Sequence, residues 1–261
     1  MGRIRIFIGL LLVAIAAAAC EKVVDLDLDN AEPKIVIDAS LNDNYQHHFV
    51  RVSRTYSFTE PNSFNGVAGA KVVLSIPGQD VNLREVEKGV YRTPRMRGMP
   101  GTGYTLNVTV DGVTYSSTSY MPEKVYLDSL SFKRLSFFGE ENTYVAANFN
   151  DPANAQNNYR YLLTVKDKVE EDDVSDDRFN NGNVISNVLY HELDKLKTGD
   201  TLEVELQSIN RDVYKYFFSL EQITGGGGPP VSPANPPSNF NNGALGVFNA
   251  HTSSRRNAVI Q

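Results

Sequence analysis

One cysteine and no tryptophan occur in the 261 residues. A single cysteine excludes an intramolecular disulfide, so any fold must stand on its packed core, which a chain of this length can build. With no tryptophan, the 13 tyrosines and 13 phenylalanines must supply the large aromatic side chains of that core. Histidine is scarce as well: only His47, His48, His191 and His251 are present. Adjacent residues on a strand point to opposite faces, so His47 and His48 do not share a metal there, and surface or turn positions are expected for all four. Gly-x-Ser-x-Gly, His-Glu-x-x-His and the phosphate-cradling Gly-x-x-x-x-Gly-Lys-Ser/Thr pattern are missing; His191-Glu192 is followed by Leu193, Asp194 and Lys195, which breaks the zinc-ligand spacing. No catalytic residue, metal site or cofactor is therefore expected, and the chain reads as a non-enzyme; a hydrolase with dispersed carboxylates is the weakest alternative. Positive charge is also thin. The formal net charge is −6, and the basic pieces are as short as Arg95 to Arg97 and Arg255-Arg256. Nucleic acid is excluded as an expected partner, since phosphate backbones call for a basic patch.

The first twenty residues are where the chain is most specific. Arg3 and Arg5 precede an apolar run from Ile6 to Ala18, and the small residues Ala17-Ala18-Ala19 follow. This is the layout of a secretory signal peptide over residues 1–19, too short for a comfortable transmembrane helix of about 20 residues. Cys20 comes immediately after. That setting resembles a bacterial lipobox, in which the cysteine sulfur is acylated and the cysteine becomes the first residue; Ala17 stands where leucine is usual. Cys20 is thus the expected lipidation site, and the membrane an expected partner through its acyl chains, each buried methylene adding about 0.8 kcal/mol. Loss of residues 1–19 removes two arginines and no acids, leaving 23 basic against 31 acidic residues. Residues 20–33 then form a lipidated acidic tether. Asp25, Asp27 and Asp29 imitate a calcium loop, but Asn30 replaces its glycine and Val36 its final glutamate, so an EF-hand is rejected.

From residue 34 onward the pattern is β. Tyr104 to Val110 places apolar residues at even positions, and Asp111-Gly112 supplies a two-residue hairpin turn into Val113-Thr114-Tyr115. With strands at Lys34–Asp38, Phe49–Val52 and Ala70–Ile76, this predicts an N-terminal β-sandwich domain over 34–120; Gly89-Val90-Tyr91 and Pro100-Gly101 before Tyr104 make it similar to prealbumin-like or carboxypeptidase-regulatory sandwiches. Met121 to Lys124 is the expected linker. A second β-rich domain over 125–261 follows, with strands at Val125–Phe132, Thr143–Phe149, Tyr159–Lys166 and Thr201–Gln207. The run Glu170 to Asp177 is expected to be a charged surface loop, with calcium binding as its alternative. Glu203 and Glu205 alternate with Leu202, Val204 and Leu206, which reads as a solvated face. One helix is predicted over 211–223, capped by Asn210 and stopped by Gly225. A Gly/Pro-rich loop, 225–243, precedes closing strands at Leu245–Phe248 and Ala258–Ile260. The fold class expected is mainly β: two antiparallel sandwich-like domains with one helix in the second.

Several pieces recur in order: Cys20-Glu-Lys-Val-Val-Asp-Leu-Asp-Leu, Lys34-Ile-Val-Ile-Asp, Gly69-Ala70, Gly89-Val-Tyr91, Pro100-Gly101, Asp177-Arg178-Phe179-Asn180, Tyr214 to Leu220, Gly243 to Phe248 and Ser254-Arg255-Arg256. Together they resemble a family of Bacteroidota lipoproteins catalogued as domain of unknown function 4249. The resemblance implies an outer-membrane lipoprotein with no established activity, accessory to a TonB-dependent receptor, facing either the periplasm or the outside. The resulting expectation is a binding or accessory module whose contact surfaces are the loops 170–183 and 225–243; a purely structural envelope lipoprotein is the alternative. Asp128-Ser129-Leu130 and Asp200-Thr201-Leu202 also resemble an O-glycosylation sequon of such proteins.

Overall fold

Residues 32–56, 64–224 and 235–260 are described by a computed structural model; Cys20, most of its tether and the first part of the Gly/Pro loop lie outside them. The described chain is mainly β with one helix, as its alternation predicts. In order, the elements are β1 (Ile35–Asn42), β2 (Phe49–Arg54), β3 (Lys71–Ile76), β4 (Gln79–Asn82), β5 (Arg84–Glu87), β6 (Val90–Arg92), β7 (Thr102–Val110), β8 (Val113–Met121), β9 (Leu127–Phe137), β10 (Glu140–Asn150), β11 (Asn158–Val165), β12 (Lys168–Asp176), β13 (Val184–Leu189), β14 (Thr201–Ile209), α1 (Arg211–Thr224) and β15 (Leu245–Val259). Asp111 and Gly112 take positive φ, 49° and 82°, and join β7 to β8 as the Asp-Gly pair requires.

The strands form an eight-stranded sheet, β12-β11-β14-β15-β1-β2-β6-β5, a four-stranded sheet, β4-β3-β7-β8, and a three-stranded sheet, β13-β10-β9. Two apolar cores result. One gathers Ile37, Leu41, Val52, Leu74, Leu106 and Phe248 between the eight- and four-stranded sheets. The other gathers Val145, Phe149, Tyr161, Leu163, Val204 and Leu206 between the eight- and three-stranded sheets. Met121, the first residue of the expected linker, is buried in the first core, and Val125, just after the linker, in the second. The boundary separates cores but not sheets. The closing segment is one fifteen-residue strand, β15, whose first half pairs with β1 (Val36↔Leu245 to Asn42↔His251) and whose second half pairs with β14 (Ser208↔Thr252 to Thr201↔Val259). The β1–β15 pairing is parallel, an exception to the antiparallel expectation. Pro33 to Gln261 consequently form one compact unit.

Alternation along β15 serves both cores. Phe248 and Ala250 face the first, and Ala258 and Ile260 the second, all on one side of the sheet. On the other side Val247 packs with Val174, Ile209 and Val213, so α1 lies against the sheet there. Arg160, held by Asp172 through bonds of 2.6 and 2.5 Å, places its guanidinium 3.6 Å from the Phe217 ring centroid and fastens the helix. Asn210 caps it as predicted: its Oδ1 accepts from the Asp212 and Val213 amides at 3.1 Å, and its Nδ2 donates to Ser119 Oγ and the Tyr120 carbonyl. Ile223, near the end of α1, is exposed.

Candidate binding surfaces

The acidic run is the first correction. Residues Glu170 to Asp176 are strand β12, paired along its length with β11, because Val169 and Val174 and the sheet ladder outweigh charge as a loop signal. Its carboxylates are engaged. Glu171 accepts the Tyr190 and His191 amides at 2.7 Å, Asp173 accepts from Asn187, and Asp172 holds Arg160. Burial pushes Glu171 and Asp173 above the ordinary carboxylate range, and the two also repel one another. Among the described residues no three His, Cys, Asp or Glu side chains gather as a metal-ligand set. Phe179, within the expected contact segment 170–183, is turned out to solvent, and Ser129 and Thr201 of the sequon-like triplets are exposed.

Glu205 is the second correction, whereas Glu203 is partly exposed as expected of a solvated face. Glu205 is 7% exposed, part of a buried polar array on the outer side of β14 and β15 that also includes Gln207, Asn249, His251 and Ser253. Glu205 Oε1 accepts from Ser253 Oγ at 2.6 Å and from Gln207 Nε2 at 3.2 Å; its Oε2 accepts from Arg255 Nη2 at 2.8 Å. His251 Nε2 stands 3.9 Å from Glu205 Oε1, beyond hydrogen-bond range. Burial pushes the His251 imidazole down to about 4, outweighing the pull of Glu205. Ser253 donates to a carboxylate rather than to the imidazole, so the group has the composition of a triad without its relay. Its geometry is that of a buried bracket fixing β15 to β14. His48, also buried, is held by Met96 and Thr93 rather than facing solvent. Both histidines depart from the expected surface roles because neighbouring backbone groups satisfy their ring or main-chain nitrogens.

Two of the concave surfaces among the described residues bear on binding. A polar cleft of about 320 Å³ lies at the start of α1, between Glu123, Asn157, Asp177, Arg178 and Arg211. Asp177 is buried and accepts the Asn157 amide at 2.7 Å, whereas Asn157 Oδ1 is buried without a partner among the described residues. The larger surface is a groove of about 570 Å³ at the end of the second core, walled by Phe132, Leu193, Leu196, Ala258, Val259 and Ile260, with Thr143 and Asp194 as its polar lining. Asp194 accepts from the Thr143 amide and hydroxyl, so its charge is partly spent inside the fold. Phe132 and Val259, which line the groove, are both exposed apolar side chains. Sequence reasoning did not single out this groove. Leu193 and Leu196 sit in a segment without strand alternation, and nothing local announces that they meet Ile260.

A family model described as Domain of unknown function (DUF4249) matches residues 21–257. The chain belongs to this family. The DUF4249 match covers β15 as far as Asn257 and the groove residues Phe132, Thr143, Leu193, Asp194 and Leu196, and ends before Ala258 to Ile260. Comparison with curated proteins gives no match. The family carries no activity in its description, so the roles of the cleft and groove have to be argued from their own chemistry.

Proposed function

We propose that this DUF4249 protein is a lipid-anchored module of the outer membrane that binds a partner without catalysing a reaction, beside a TonB-dependent receptor. The groove carries the binding half of this reading: an open, largely apolar concavity at one end of a scaffold whose remaining core is closed. Its volume falls in the range of specific sites, roughly 300–1,000 Å³. Location rests on the setting of Cys20 after a basic, then apolar, then small-residue run. A tether of fourteen residues, Cys20 to Pro33, reaches at most about 50 Å when extended. This leaves the module free to meet an integral neighbour.

The experiment is to label cells of a native host with radioactive palmitate, solubilise membranes in mild detergent and isolate the chain. A labelled protein that brings an outer-membrane partner with it is the expected result. Recovery of an unlabelled chain overturns the anchor. Recovery of the labelled chain alone, with the presumed receptor abundant in the same extract, overturns the binding role in favour of a purely structural envelope lipoprotein.

A further inference from the structure

The groove lies between two sheet edges. In β15 the even residues direct their backbone groups at β14: Ala258 and Arg256 sit opposite Leu202 and Val204, and the Ile260 amide and carbonyl bond Asp200 and Gly199 at 2.9 and 2.8 Å. Backbone groups alternate along a strand, so the odd residues face the other way. There β1 ends its pairing at His251, and Asp43 Oδ1 accepts the Ser253 amide at 2.9 Å. Beyond that point Arg255, Asn257 and Val259 present their N–H and C=O groups to an edge with no strand on it, and all three are exposed. Facing them is β9, the edge strand of the three-stranded sheet. It starts against β15, the Leu127 amide donating to Ser254 Oγ and Arg256 Nε to the Asp128 carbonyl, and Phe132 then lines the groove with Ala258 to Ile260. Among the described residues the second sandwich is open on this side, with two edges that no strand pairs and apolar core residues between them. Unpaired edges of this kind are templates for another strand.

Charge says what kind. Arg256 lies on the groove side of β15, two residues before Ala258. Arg134 lies on the groove side of β9, two residues after Phe132 and opposite Thr143. Neither forms an ion pair among the described residues, although the mature chain is strongly acidic. The apolar groove is thus bracketed by two guanidinium groups without a carboxylate partner among the described residues, Arg256 donating only its Nε, to the Asp128 carbonyl.

We propose that the edge accepts an extended segment of a partner protein by β-strand addition, its alternate side chains apolar and an acidic residue at each end. Backbone bonds to Asn257 and Val259 hold the segment, its apolar side chains cover Leu193, Leu196 and Ile260, and its end carboxylates meet Arg256 and Arg134. This deepens the binding reading above and rests on it.

The test uses the full chain in detergent and a fluorescent peptide, Glu-Glu-Val-Thr-Val-Thr-Val-Thr-Glu-Glu, with two controls: the same composition with its valines contiguous, and lysines in place of glutamates. The alternating acidic peptide is expected to bind better than either control, and to slow hydrogen exchange at Asn257 and Val259 about tenfold or more while Arg256 and Ala258, already bonded to β14, change little. Asn257→Pro removes an edge N–H and no ladder bond, and Leu196→Glu charges the groove; each is expected to weaken binding about tenfold. The exchange pattern of the unaltered protein stands even where a variant fails to fold. No binding at millimolar peptide, protection elsewhere, or unchanged affinity in a folded Asn257→Pro chain overturns the proposal, as does protein-concentration-dependent protection without peptide, which assigns the edge to a second copy. A chain that ignores the peptide yet still brings down a membrane partner refutes strand addition alone; a chain that does neither refutes the binding reading too.

Discussion

Acidification is expected to loosen the joint between β14 and β15, and His251 makes the size of the effect calculable. Burial holds its imidazole neutral in the fold, whereas in the unfolded chain it titrates near 6.5. Between those two values the unfolded state binds a proton that the folded state does not, so stability is fully present above about pH 6.5 and falls as the pH drops towards the folded value. The slope is about 1.4 kcal/mol per pH unit, so moving from pH 6.5 to pH 5 removes about 2 kcal/mol through this residue. The opposing possibility is that His251 takes the proton and forms an ion pair with the Glu205 carboxylate. Geometry decides against it: Glu205 Oε1 is occupied by Ser253 and Gln207, Oε2 by Arg255, and Nε2 stays 3.9 Å away. Arg160 adds repulsion against an imidazolium, while Asp43 pulls the other way less strongly. His48 is also lowered by burial and adds a loss of the same sign. Urea unfolding at pH 7.5 and pH 5 of the native chain and of His251→Gln isolates the residue. The variant is less stable at both values but should lose about 2 kcal/mol less on acidification. Equal losses would refute the neutral buried imidazole, and a variant that loses more than the native chain on acidification would show a protonated His251 paired with Glu205.

Three further outcomes are expected. Cys20→Ser should abolish palmitate labelling and release the chain from membranes in high salt, measured by fractionation; retention of label would end the assignment of Cys20. Asn210→Ala removes the α1 cap together with bonds to Ser119 and Tyr120 and should cost about 1–2 kcal/mol by denaturant titration. Gly246→Ala puts a Cβ 2.1 Å from the Ile37 carbonyl oxygen at a φ of +95°, so it should destabilise by more than the ordinary single substitution, about 1 kcal/mol, and a neutral result would contradict the close β1–β15 approach.

Much of the fold was legible because its outer strands obey a simple period. Tyr104 to Val110 alternates, one face lies in a core, and the Asp-Gly turn needs the positive φ that Asp111 and Gly112 adopt. The helix was legible through Asn210, whose cap is local chemistry. Residues 170–177 were misread because net charge is a poor guide to an edge strand: β12 hides Val174 beneath α1 and exposes carboxylates that nearby amides and Arg160 satisfy. The candidate groove was not legible at all. It is made by Phe132, Leu193 and Ile260, far apart in sequence, and exists only because β15 and β9 run side by side and then leave a gap.

The strand that joins the two halves explains why sequence reasoning divides them. A half-buried strand announces itself by alternation, but residues 246–254 of β15 are buried on both faces and are mostly small or polar. On one face Phe248 and Ala250 enter a core; on the other Asn249, His251 and Ser253 enter the bracket with Gln207 and Glu205. With polar residues buried and apolar ones sparse, the segment looks like a loop between two short strands. Its parallel partner β1 is also about two hundred residues away, a pairing that no local period encodes. The consequence is mechanical. Because one continuous strand carries load from β1 to β14, a substitution in the polar bracket is felt in both cores. His251→Gln should therefore lower the unfolding midpoints reported by both core regions together in hydrogen exchange, whereas two independent domains would let only the second one move.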